Sequence, residues 1–68
     1  MELAKAIKAV VALEDKGYPV CLYKYYFGFG EVTTALAVMG PCSENVVQDV
    51  PILNDCKTST KGTTTIYY

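Results

Sequence analysis

Three observations predict a small α+β domain. Residues 2–16 carry apolar side chains at helical spacing, two runs of β-branched and aromatic residues follow with a glycine-bracketed turn between them, and the chain closes on a Thr- and Tyr-rich run. The expected order is helix, strand, strand, short helix, strand. These elements should fold in two layers, an N-terminal amphipathic helix on a three-stranded, mainly antiparallel sheet, with residues 1–68 as one domain.

In the first element Leu3, Ala4, Ala6, Ile7, Val10, Val11 and Leu13 share one half of a helical wheel, while Glu2, Lys5, Lys8, Asp15 and Lys16 take the other. Glu14 falls inside the apolar arc, in the final turn, where its side chain can lean to water. Lys16, Gly17 and Pro19 punctuate the end.

Val20 to Phe27 reads as a strand bounded by Pro19 and Gly28. Its alternation sets Cys21, Tyr23, Tyr25 and Phe27 against Val20, Leu22, Lys24 and Tyr26. Gly28-Phe29-Gly30 supplies a reversal, and Val32 to Met39 reads as the returning strand of a hairpin. Ala35 and Ala37 share a face of that strand, and small residues there would let the helix approach closely.

Gly40-Pro41 ends the strand. Ser43 can cap a short helix through Asp49, with Glu44 in its first turn and Pro51 beyond; the adjacent Val46 and Val47 make a strand over 43–50 the competing reading. Residues 54–62 are polar and turn-forming and read as a loop, and Thr63 to Tyr68 as the last strand.

Composition excludes several functions. The chain has no His, no Trp and no Arg, its six basic residues being Lys5, Lys8, Lys16, Lys24, Lys57 and Lys61. It therefore has no imidazole to act as base or metal ligand and no guanidinium fork for phosphate or guanine. A net charge of -1 supplies no excess of cations to neutralise nucleic-acid phosphates, so nucleic acid is disfavoured as a partner. Cys21, Cys42 and Cys56 are an odd set without paired spacing. They read as reduced, buried small hydrophobes in a cytoplasmic protein, one disulfide between two of them being the alternative, and three thiolates fall short of the four ligands of a structural zinc site.

Cys56 beside Lys57 lacks a base to activate it, and Gly28-Phe29-Gly30 lacks the third glycine or Gly-Lys-Ser/Thr of a phosphate loop. No enzyme activity and no cofactor are expected. Glu2, Lys5 and Lys8 break the N-terminal apolar run as no signal peptide does, and Val32 to Ser43 is too short to cross a membrane.

Tyr23 to Gly30 is the most distinctive segment. Gly28-Phe29-Gly30 followed by Val32-Thr33 resembles part of the octamer of RNA-recognition-motif proteins, over about eight residues. That resemblance implies base stacking on strand aromatics, but Phe27 stands where the motif has Lys or Arg, and Glu31 and Thr34 where it has aromatics. Protein contact is the favoured reading. Apolar residues make up 51% of a chain this short, more than so thin a core readily hides, so a partner is expected to cover some of them.

The expectation is a non-enzymatic protein-interaction module, homodimeric through its sheet, of the accessory or inhibitor type that viruses and mobile elements encode. Its contact residues would be Tyr23, Tyr25, Phe27, Phe29, Tyr67 and Tyr68. A single-strand nucleic-acid binder using the strand aromatics is the alternative.

Overall fold

The computed structural model describes residues 1–26, 28–40 and 43–68. Helix α1 spans Leu3–Asp15, strands β1 and β2 span Val20–Tyr26 and Val32–Met39, and helix α2 spans Ser43–Asp49. A 3-10 turn at Pro51–Leu53 leads into strands β3, Thr58–Lys61, and β4, Thr64–Tyr67. The result is a small α+β fold with an antiparallel sheet of order β1-β2-β4-β3.

The sheet thus has four strands, not the expected three, because the supposed loop over 54–62 contains β3. Lys61 pairs with Thr64, leaving Gly62-Thr63 as a two-residue hairpin loop. Gly62 takes φ 61, and a glycine at the first central position is what a type II′ turn requires. Thr58, Ser59 and Thr60 are β-branched or small and suit an edge strand, though their polarity reads as a loop.

Helix α1 ends as its punctuation predicts. Gly17 adopts φ 86, its N–H bonds the Glu14 carbonyl at 3.0 Å, and the Tyr18 N–H reaches back to the Leu13 carbonyl at 3.0 Å. This is a Schellman closure, which satisfies carbonyls left over at the helix end. Residues 43–49 are helical rather than extended, and they put Val46 in the core with Val47 packed against it. The capping expected of Ser43 and the position of the Glu44 side chain lie outside the described residues, as does Cys42.

The main core lies between α1 and one face of the sheet. Ala6, Ala9 and Leu13 pack with Leu36, Val38 and Tyr67, and Val46, Val50 and Leu53 close the layer from the second half of the chain. Two expectations are corrected here. The buried stripe of α1 is the alanine side, so Leu3, Ile7 and Val11 face solvent. Ala35 and Ala37 lie on the opposite face of the sheet from the helix, packed with Ile66 under Tyr25 and Tyr68. Small residues do set the close approach of helix to sheet, but they sit on the helix and meet large residues on the strands.

Candidate interaction surface

The register of the sheet decides what each face shows. Tyr23 stands opposite Ala35 and Tyr25 opposite Thr33, so the face away from α1 carries Cys21, Tyr23 and Tyr25 beside Ala35 and Ala37. Tyr25 reaches over to Tyr68, with ring centroids 4.2 Å apart and ring planes 8° from parallel. This pair roofs the two alanines and Ile66, so the chain covers part of its own open face. A hydrogen bond to Tyr25, aided by desolvation, holds the Tyr68 phenol above its ordinary pKa.

The expected contact residues therefore divide. Tyr23 is exposed on the open face. Phe29 is fully exposed at the hairpin tip, in a left-handed conformation with φ 53 between Gly28 at φ 89 and Gly30 at φ 75. A left-handed conformation costs a residue with a side chain roughly 1–2 kcal/mol, which makes an exposed Phe there conspicuous. Tyr25 and Tyr68 are engaged with each other. Tyr67, at 1% exposure, belongs to the core under the helices, where burial pushes its phenol pKa up. Phe27 lies outside the described residues.

A second apolar surface escaped the sequence reading. Leu3 (56% exposed), Ile7 (49%) and Val11 (64%) form a stripe along α1, and Leu22 (51%) stands exposed on the helix side of β1. With Ala6, Ala9 and Leu13 pointing inward, the wheel sends Lys5 to one side of the helix and Leu3 and Ile7 to the other. Lys5 forms an ion pair with Asp55, just past the 3-10 turn. Leu3 and Ile7 of this stripe are thereby turned toward β1, while Val11, on the far side of the wheel from Ala6, Ala9 and Leu13, points away from the sheet. The signal for it was the width of the apolar arc: seven residues over half a wheel are more than one sheet face can cover.

Polar chemistry gathers at one end of the sheet, in a cleft of ≈ 420 Å³ lined by Thr33, Asp55, Lys57 and Tyr68. The bond from Lys5 holds the Asp55 carboxyl below its ordinary pKa, so at neutral pH it is a paired carboxylate, unsuited to donate a proton. Cys56 is partly buried, and desolvation raises its thiol pKa, the opposite of what activates a nucleophile. Among the described residues no group of three or more Cys, Asp or Glu could hold a metal ion. No helix among the described residues is long and apolar enough to cross a membrane.

Comparison with known proteins matches this chain to no family model, no curated protein and no solved structure.

Proposed function

We propose that this chain is a non-enzymatic protein-interaction module that works as a homodimer and contacts a protein partner through the aromatic region of its β1–β2 hairpin. The observation that carries the reading is the concentration of exposed apolar side chains on and around that hairpin: Tyr23 on the open face, Tyr26 and Leu22 on the helix side, and Phe29 at the tip. Scattered exposed apolar residues are ordinary, whereas three exposed aromatics on one hairpin, on both its faces and at its tip, give it the composition of a binding element. The left-handed Phe29 adds weight, since a strained backbone that presents an aromatic ring to water is a conformation a folding-only role would not favour.

An enzymatic role has little support. The cleft at the sheet end holds a paired carboxylate, a lysine and hydroxyls, and its neighbouring thiol is raised in pKa, so no base stands ready beside a nucleophile. The single-strand nucleic-acid alternative also loses ground, because Tyr25 already stacks on Tyr68 and offers one ring face fewer to a base.

The test is affinity capture from the native host by the natural chain, with Tyr23→Ser and Phe29→Ser baits in parallel. A protein retained by the natural chain and lost from both variants supports the reading, and equal capture by all three sinks it. Titrating salt against binding of a single-stranded oligonucleotide separates the alternative, since lysine-driven affinity falls steeply as salt rises.

A further inference from the structure

We infer that two copies of this chain join through their β1 edges, antiparallel about a two-fold axis at Tyr23, into one continuous eight-stranded sheet with both α1 helices packed together on one side. This rests on the homodimer of the proposed function and specifies how it is built.

The first ground is the direction of the backbone groups of β1. The Met39 N–H bonds the Pro19 carbonyl at 3.0 Å, and the register pairs Val20 with Val38. Position 19 is thus a hydrogen-bonded site of the β1–β2 ladder, and alternation makes 21, 23 and 25 the others. Val20, Leu22, Lys24 and Tyr26 consequently aim their N–H and C=O groups away from β2, along an edge of the sheet where no described backbone group meets them. An edge of this length is ready to pair.

The second ground is the other edge. β3 has four residues, Thr58–Lys61, all polar and ending on a lysine, which is how an edge is blunted against pairing. β1 has seven residues, and Lys24 is its one charge.

The third ground identifies the occupant as a second copy. α1 contacts both β1 and β2, and its packing over Leu36 and Val38 leaves Leu22 on β1 half exposed. A two-fold at the β1 edge brings the second copy's helix alongside the first on the same side of the sheet. The side chains that would meet are Leu3 and Ile7, on the side of α1 toward that edge. A two-fold brings the same side of both helices together, so Leu3 and Ile7 of one copy face that side of the other's helix. Leu22 lies in the floor beneath.

Charge and overlap choose the register. An axis at Lys24 would set two ammonium groups directly opposite, and one at Leu22 would place Tyr26 against Tyr18, outside the strand. An axis at Tyr23 overlaps the whole of β1. Val20 then pairs with Tyr26 and Leu22 with Lys24 as hydrogen-bonded pairs, while Tyr23 faces its own counterpart at the closer, non-hydrogen-bonded spacing. On the open side the two Tyr23 rings fall side by side, joining the aromatic surfaces of both copies.

Disulfide trapping and sedimentation equilibrium test this together. In a Cys21→Ser, Cys42→Ser, Cys56→Ser background, Tyr23→Cys should oxidise to a covalent dimer, since about 4.5 Å between Cα atoms falls within disulfide reach, whereas Lys61→Cys on the β3 edge should not. In the natural background Ile7→Lys and Leu22→Pro should each weaken dimerisation at least about 100-fold with the circular dichroism retained; proline at 22 removes an N–H that β2 does not use. Should Leu22→Pro not fold, Leu22→Lys replaces it. A dimer that resists these substitutions and does not trap at position 23 overturns the edge geometry while leaving homodimerisation standing. A natural chain that sediments as a monomer at high concentration overturns the homodimer and the edge geometry with it.

Discussion

The two faces of the sheet solve the same packing problem with opposite means. On the covered face the strands offer the large residues Leu36, Val38 and Tyr67, and the helix supplies Ala6 and Ala9 between them. On the open face the strands offer Ala35 and Ala37, and the large residues come from the sheet itself as the Tyr25–Tyr68 pair. In each case large meets small, which is what close packing demands. The difference is that a helix and the second half of the chain seal the first face, whereas one pair of rings roofs the second and leaves Tyr23 and Met39 to water. Stability should therefore reside mainly on the covered face, while the open face keeps Tyr23 exposed for recognition.

The largest expected effect is on the covered face. Leu36→Ala, at a fully buried position, should lower the unfolding free energy by about 2–5 kcal/mol in denaturant titration, while Tyr23→Ala should change it by less than about 0.5 kcal/mol in the monomer. Comparable losses at both positions would erase the distinction between the faces.

Helix residues should divide the same way. Ala9→Leu forces bulk between α1 and the sheet and should cost about 1–3 kcal/mol, against near neutrality for Ile7→Ala on the exposed stripe at monomer concentrations. Smaller still should be the loss from Tyr25→Ala, which removes the roof over Ala35 and Ala37. We expect the thermal midpoint to fall by about 4–8 °C, the equivalent of roughly 1 kcal/mol for a domain of this size.

The smallest effect is a pH dependence with one phenol on each face. Tyr67 is raised by burial on the covered side and Tyr68 by its bond to Tyr25 on the open side. A phenol whose pKa is higher in the folded state contributes stability that is whole below the ordinary value of 10.0 and fades as pH climbs through the folded value. Ultraviolet titration should find both ionising late, and Tyr25→Phe should bring Tyr68 down while leaving Tyr67 in place.

Much of the architecture was legible in the residues. The Schellman end of α1 was written in Lys16-Gly17 and Pro19, and the hairpin in two β-branched, aromatic runs around Gly28-Phe29-Gly30, because helix stops and tight turns depend on the local backbone. β3 was hidden for a different reason. Thr58, Ser59 and Thr60 gain their strand character from pairing with β4, and a polar edge strand carries no apolar alternation to announce it. The glycine of its two-residue turn was the available clue.

The candidate surface was half legible. Alternation along β1 placed Cys21, Tyr23 and Tyr25 together on one face, though not which face the helix would cover, and the excess of apolar residues foretold that some would stay exposed. Tyr67 shows the limit: it follows Ile66 and precedes Tyr68 at the end of a polar stretch, yet it is one of the largest fully buried side chains in the molecule. Its neighbour Tyr68 packs on the other face.

What the sequence determined by itself was local: where the first helix stops, where the first hairpin turns, which residues alternate, and which chemistries the lack of His and Arg forbids. Tertiary structure alone decided which half of a wide apolar arc turned inward, which face of β2 met the helix, and that a polar tail became a fourth strand. Those choices depend on how well large residues find small ones across a gap, and no window of neighbouring residues contains both sides of that contact.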